Sequence, residues 1–283
     1  MPVDLTGLAC ELLGRASDAV EPIVVWGDRV AYRVRIDDQQ YMIKTDPERE
    51  IVAREASGLR RAADATIPVP ELVAVTEQAL AMTWDNGVPL QKHSTRRAWN
   101  DAGAQLRRLH DLDRSGPFGA GFGGYDPAHE SWRAFFEAFT DTMLSDCTRG
   151  CDFPDDQAVR IRTAVREIVP LLDAPDVGWC HGDFQPDHVL IDPTTERVAS
   201  IIDWSDHGSG DLGWDVAVLT LDHDAHLQDL LDGYNASTDL RHALQEVLPV
   251  YRVVRYLGEA HWLAVHNFPQ AEDSFCRAVE WRP

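Results

Sequence analysis

The segment "WCHGDFQPDHVLIDPTTERVASIIDWSDHGSGD", residues 179–211, decides how the rest of the chain is read. It crowds histidines and aspartates around two short apolar runs, "HVLID" and "RVASIID". Each run predicts a strand, and "PTTE" between them supplies turn residues. Paired through that turn, they form an antiparallel hairpin whose first strand begins near His188 and whose second ends near Asp203. Both residues return to one end of the hairpin, where the loop "HGDFQPD" also enters. A strand rises only about 3.3 Å per residue, so a register shift of a residue or two still leaves Asp183, His188 and Asp203 close.

Two carboxylates and a metal-binding side chain in that arrangement suit phosphoryl transfer. One carboxylate orients the attacking hydroxyl and accepts its proton, while the others hold magnesium against the phosphates. Turn capping is the competing explanation for an aspartate beside a turn. It accounts for Asp176 and Asp192 and stays open for Asp187. Asp183 and Asp203 differ, because their apolar neighbours "VGWC" and "ASII" set them next to a core.

The first ninety residues read as mixed strand and helix. "IVVWGDRVAYRVRIDD" and "QYMIKT" are predicted strands, with Gly27-Asp28 and Asp37-Asp38 as turns. A helix follows from about Pro47, with Thr45 or Asp46 as its cap. "IPVPEL" ends that segment in extended chain, and "ELVAVTE" and "ALAMTW" add two strands. In "QYMIKT" the side chains alternate, so Lys44 shares a face with Met42. In the helix, Ile51, Glu55 and Leu59 lie four apart on one stripe. Glu55 there either escapes to solvent at the edge of the stripe or needs a cation, and Lys44 is the nearest in sequence.

Turn-like "DNGVP" marks a boundary between a lobe of residues 1–86 and one of residues 87–283. The second is mostly helical, with three- and four-residue apolar spacing over 94–112, 131–145, 157–173, 225–233 and 249–266. The glycine cluster "GPFGAGFGG" at 116–124 follows a helix rather than a strand, which reads as a connecting loop, not a phosphate cradle. "LDHDAH" reads as a helix start, with Asp222 and Asp224 as a possible acidic rim for a substrate; Asp206 and Glu259 are further such candidates. Trp132, Phe135 and Trp262 are expected in the core.

Composition narrows the partners. The 283 residues carry a formal net charge of −21, which argues against a nucleic-acid backbone as partner. The same acidity is compatible with a cationic ligand or with solubility alone. Five scattered cysteines, including the unpaired "CTRGC", suit reduced thiols in a cytoplasm. No apolar run is long enough to span a membrane and no signal peptide is read, so no membrane association is expected.

"HGDFQPDH" followed by "IIDWSDHGSGDLGWDVA" resembles the aminoglycoside phosphotransferase family of antibiotic kinases. "YMIKT", "REASGL", "IPVPEL…ALAMTWDNGVPL" and "LRRLHDL" extend the likeness over nearly the whole chain. The resemblance implies an α+β, bilobal protein-kinase-like fold with a small antiparallel-sheet N-lobe and a larger, mainly helical C-lobe. It implies Asp183 as catalytic base or hydroxyl-orienting group, His188 and Asp203 as Mg2+ ligands, and Lys44, positioned by Glu55, on the phosphates of ATP or GTP. Backbone at Met82, Thr83 and Trp84 would meet the base. His181 would brace its loop, and Asp211 and Asp215 would order the metal loop and the helix after it.

Two features depart from that pattern. His188 stands where the family usually has asparagine, although magnesium prefers oxygen; macrolide kinases resemble this chain in having histidine there. The first hairpin offers only Gly27 for phosphate contacts. The expected activity is therefore a cytoplasmic small-molecule O-kinase, monomeric or homodimeric, acting on an antibiotic and favouring a cationic one such as an aminoglycoside or basic peptide. A macrolide kinase or a choline- or homoserine-type metabolite kinase is the alternative. A metal-dependent phosphohydrolase would leave Lys44 and Glu55 without a purpose, and a nucleotide-binding protein without transfer would show no turnover.

Overall fold

A computed structural model of the chain describes residues 5–26, 29–113, 116–119, 129–150, 153–173, 176–266, 268 and 270–282. The turn expected at Gly27-Asp28, residues 120–124 of the glycine cluster and Cys151 of "CTRGC" lie outside the described residues. The chain forms two compact units, one of residues 1–98 and 187–205, the other of 99–186 and 206–283. This differs from a division after residue 86 for a physical reason: the strand partner of the 187–205 hairpin is in the first unit.

In the first unit, helix α1 (Leu5–Leu13) precedes strands β1 (Ala19–Trp26), β2 (Arg29–Ile36) and β3 (Gln39–Thr45). Helix α2 (Arg49–Asp64) and strands β4 (Leu72–Val75), β5 (Ala79–Thr83) and β6 (Val88–Pro89) follow. The first five strands make one antiparallel sheet in the order β1-β2-β3-β5-β4. Alternation sends Tyr32, Val34 and Ile36 of β2 inward, where Ala9 and Leu12 of α1 and Ile43, Ala79 and Ala81 complete the core. The hairpin of β8 (Val189–Asp192) and β9 (Arg197–Ile201) is antiparallel, and β8 also pairs with β6, which the sequence presented as a turn. Asp192 Oδ1 accepts the Thr194 N–H at 2.7 Å, the turn-capping role expected of it. Asp187 accepts a hydrogen bond from Gln91.

Helix α2 starts later than predicted. Its N-cap is Glu48, not Thr45 or Asp46. Asp46 is drawn instead into an ion pair with Arg29 at 2.9 Å and accepts the Glu48 N–H at 2.8 Å.

The second unit holds α3 (Arg96–His110) from Trp99 onward, α4 (Trp132–Gly150), α5 (Asp155–Glu167), α6 (Val169–Leu172) and β7 (Val177–Cys180). Then come β10 (Gly208–Asp211), α7 (Leu212–Leu219), α8 (Leu227–Gly233), α9 (Thr238–Val265) and α10 (Ala271–Glu280). The helix expected over 157–173 breaks at Ile168 because Pro170 opens a new turn, where its missing N–H costs nothing. In contrast, α9 runs through Pro249 and starts eleven residues before it, at Thr238, with Ser237 Oγ accepting the Leu240 N–H at 3.1 Å. A proline reads as a start signal from sequence, but burial of Leu244, Val247, Leu248, Val250 and Tyr251 along the helix outweighs one missing hydrogen bond. Trp132 and Phe135 lie in the core at 1% and 3% exposure. Trp262 departs from expectation: it is half-buried and stacks on Phe268 with centroids 5.8 Å apart.

Candidate active site

The face alternation in β3 and the apolar stripe of α2 bring a cation and a carboxylate together. Lys44 Nζ lies 2.6 Å from Glu55 Oε1 and 3.1 Å from Asp203 Oδ1. Glu55 is only 4% exposed, so it does not escape to solvent as one reading of the stripe allowed. Burial works against the Lys44 charge, but Asp203 and Glu55 outweigh it and hold the ammonium above its ordinary pKa. Burial likewise pushes the Glu55 carboxyl up, opposed by Lys44. Removing one partner of such a pair leaves a buried charge uncompensated and costs about 3–5 kcal/mol.

Asp203 sits just after β9 with φ +67°, a left-handed backbone that aspartate tolerates better than most residues. Its neighbours pin it. Ile202 N–H donates to the His188 carbonyl at 3.0 Å, and Ile201 N–H to the Pro68 carbonyl at 2.8 Å. The His188 Nε2 to Asp203 Oδ2 distance is 3.5 Å. The Asp203 carboxylate is thus divided, one oxygen toward Lys44 and the other toward His188. Four predicted residues, Lys44, Glu55, His188 and Asp203, come together inside the first unit.

Met82 is buried, at the end of β5. Thr83 N–H donates to the Glu71 carbonyl at 2.9 Å, and Trp84 N–H to the Gln40 carbonyl at 3.0 Å. The Arg33 guanidinium covers the Trp84 ring at 5.1 Å. Two of the backbone donors expected to meet a nucleotide base are therefore already engaged within the sheet.

The His181–Asp183 loop leaves β7 in the second unit and is gripped by α7. The fully buried Asp215 carboxylate accepts the N–H of His181 at 2.8 Å and of Gly182 at 2.9 Å. Trp214 Nε1 donates to the Gly182 carbonyl at 2.9 Å. Gly182 itself has φ +86°, and a Cβ there would collide with the Asp206 carbonyl oxygen. His110 Nε2 faces Asp215 at 3.1 Å, and its Nδ1 faces the Tyr234 hydroxyl at 2.9 Å. These bonds act through the His181 backbone, and Asp215, expected to order the metal loop and the helix after it, grips the His181–Gly182 backbone.

Asp183 emerges from this loop into contacts with Gln185 and Arg255 within the unit. Gln185 Nε2 donates to its Oδ1 at 2.8 Å and to its Oδ2 at 2.9 Å. Arg255 Nη2, from α9, donates to Oδ1 at 2.7 Å. Burial works against the Arg255 charge, and Asp183, Glu259 and Asp206 more than restore it. The acidic rim is largely matched as well. Asp222 accepts from the Tyr256 hydroxyl at 2.7 Å and pairs with Arg277 at 3.3 Å, and Asp224 pairs with Arg252 at 2.5 Å. Sequence reading missed these arginines, since none lies within twenty residues of its acidic partner and no local pattern links them.

His110, Cys180 and Asp215 also cluster, with ligand atoms all within 4.8 Å of one another. This is not a metal centre by chemistry. Burial and the nearby carboxylates push the Cys180 thiol up, so the thiolate a metal needs is disfavoured. The Asp215 oxygens already serve three donors.

Asp211 caps α7 through the Gly213 N–H at 2.7 Å and accepts the Tyr251 hydroxyl at 2.9 Å; Trp132 Nε1 donates to that hydroxyl at 2.7 Å. Burial pushes the Asp211 carboxyl up to about 6 despite both hydrogen bonds. The folded chain then binds this proton more tightly than the unfolded one. Stability contributed by the protonated form is present near pH 4 and falls by up to about 3 kcal/mol as pH rises to about 6. Urea unfolding across that range should show a shallower decline in Asp211→Asn; an unchanged slope would remove Asp211 as its source.

No curated protein matches the chain. Among solved structures, a candidate fructosamine-3-kinase from Thermobifida fusca YX-ER1 is 22% identical, with TM-score 0.74 over 97% of this chain and 99% of its own. The aminoglycoside phosphotransferase APH(4)-Ia, a thermostable mutant in complex with ADP and hygromycin B, is 18% identical, with TM-score 0.74 over 98% and 97%. Choline kinase from Streptococcus pneumoniae is 17% identical, with TM-score 0.72 over 98% and 96%. At these identities the likeness establishes the fold, an α+β kinase fold, and not the acceptor. The model of the phosphotransferase enzyme family matches residues 21–257, which span β1 to α9 and every predicted site residue but Glu259. Together with the Lys44–Glu55–Asp203 cluster and the gripped His-Gly-Asp loop, that match places the chain in the phosphotransferase enzyme family, the aminoglycoside phosphotransferase group of kinases.

Proposed function

We propose that this chain moves the γ-phosphoryl group of ATP or GTP to a hydroxyl of a small molecule, with an antibiotic as the leading acceptor class. The observation that carries the reading is the part-buried three-way contact of Lys44 with Glu55 and Asp203 at 2.6 and 3.1 Å. A phosphohydrolase built on the His/Asp-rich stretch alone has no use for it. A kinase does, because Lys44 is then a fixed cation for nucleotide phosphates and Glu55 holds it in place.

Asp183 has the role of orienting the acceptor hydroxyl and taking its proton. His188 and Asp203 would hold a divalent cation. One carboxylate oxygen and one imidazole nitrogen facing each other at 3.5 Å fit an ion that completes its shell with water and phosphate oxygens. When bound, that ion neutralises charge on the phosphates. The base would use backbone groups around Met82–Trp84 other than the two engaged N–H groups.

Glu259 supports a cationic acceptor in that it and Asp206 keep the surroundings of Arg255 anionic, whereas Asp222 and Asp224 are both paired. A metabolite kinase is the second reading, favoured by Arg255, which sets a cation beside Asp183 where a purely cation-binding cleft would have none. A resistance panel in a sensitive host expressing this chain, followed by labelled-nucleotide transfer to the protected compounds, tests the proposal. Phosphate released only to water, with no labelled acceptor, would favour the hydrolase.

His188→Asn is expected to retain turnover within about tenfold and to lower the magnesium concentration required, because an amide oxygen suits magnesium better than imidazole. Complete loss at saturating magnesium would mean that His188 has a different role.

A further inference from the structure

We infer that Arg255 is a positioning residue of the transfer reaction: it fixes the Asp183 carboxylate through Oδ1. The inference rests on the kinase reading of Asp183 given above. Its grounds are geometric. Asp183 Oδ1 accepts two donors, Arg255 Nη2 at 2.7 Å and Gln185 Nε2 at 2.8 Å, and Gln185 Nε2 also donates to Oδ2 at 2.9 Å. Gln185 is two residues away in the same loop, so it moves with Asp183 and cannot by itself hold it against the rest of the fold. Arg255 is 72 residues distant on the 28-residue α9 and supplies that outside reference.

The ion pair is also shielded, with the two side chains 16% and 18% exposed, so it keeps more of its strength than a surface pair. Its surroundings are anionic: Asp206 and Glu259 act on the same guanidinium. The neighbouring Arg252 does not compete for Asp183, being bound to Asp224 at 2.5 Å and to Thr220 Oγ1 at 2.6 Å.

The test compares wild type with Arg255→Ala, using magnesium-ATP and an acceptor found by the panel above. Misaiming the carboxylate should lower kcat about 100-fold while ATP affinity, read by calorimetry, stays within about twofold of wild type. Added guanidinium ion should restore part of the lost kcat in a saturable way, and Arg255→Lys should recover part of it through its charge. If Arg255→Ala does not fold, Arg255→Met keeps the aliphatic packing and takes its place. A kcat near wild type, or a loss of ATP affinity equal to the loss of kcat, overturns the role.

A thermal-melting cycle of Arg255→Ala, Asp183→Asn and the double variant needs no turnover. Non-additive shifts are expected; additive ones overturn the pair whatever the kinetics. Failure of wild type to transfer phosphate to any acceptor would instead count against the kinase reading, leaving the melting cycle to judge the pair.

Discussion

Asp183→Ala should reduce phosphoryl transfer by about 10³-fold or more while leaving nucleotide binding largely intact. A positioned general base contributes about 10²–10⁴-fold, and the alanine removes both the proton acceptor and the atom that orients the hydroxyl. Nucleotide binding is spared because Lys44, Glu55, His188 and Asp203 do not depend on Asp183 for their mutual contacts. The substitution also strips Arg255 of its hydrogen-bonded partner, but Asp206 and Glu259 remain to compensate the guanidinium. The fall in stability should therefore be smaller than the 3–5 kcal/mol typical of a fully isolated buried charge. Labelled-nucleotide transfer measures the first effect, calorimetry with ATP the second and thermal melting the third. Transfer within tenfold of wild type would sink the role assigned to Asp183, and loss of ATP binding would mean that the residue supports the nucleotide instead.

The parts of this site that could be read from sequence are those whose geometry is local. A two-strand hairpin with a short turn brings its ends together by construction, so His188 and Asp203 were predictable neighbours, and β8 and β9 form that hairpin. Lys44 and Glu55 were legible because a strand alternates and a helix repeats every 3.6 residues. Elements written in glycine and serine were not. β7 and β10 form a two-stranded sheet through "VGWC" and "GSGD"; the second has no β-branched or aromatic residue to announce a strand. The cations matched to the acidic residues were equally silent. Arg255 and Arg252 reach Asp183 and Asp224 only because α9 passes them, and α9 was cut short at Pro249 in the sequence reading. The effect on function is direct: an acidic rim counted from sequence favours a cationic acceptor more strongly than the same rim counted with its arginines.

Asp215→Ala should behave in the opposite way to Asp183→Ala, with stability and activity lost together. Its carboxylate is completely buried and serves three donors: His181 N–H, Gly182 N–H and His110 Nε2. Alanine leaves all three without their acceptor, and each buried donor so stranded costs about 1–3 kcal/mol. The sum is bounded by what local relaxation and entering water recover, which suggests a loss of about 3–5 kcal/mol and a melting temperature lower by roughly 10 °C. Asp215→Asn should fall between wild type and alanine, since its single carbonyl can accept while its NH2 opposes an N–H donor. Alanine releases both backbone N–H groups just ahead of Asp183 and asparagine releases one of them, so the residue proposed to aim the hydroxyl loses part or all of the frame it is mounted on. Transfer should fall about 100-fold even in the fraction that stays folded. Gly182→Ala attacks the same frame from the other side, through its left-handed backbone and the collision with the Asp206 carbonyl. If Asp215→Asn melts like wild type yet loses turnover, the carboxylate acts on the chemistry itself and not by holding the loop. If it loses stability but keeps full turnover, Asp183 does not need this grip, and its aim must come from Arg255 and Gln185 alone.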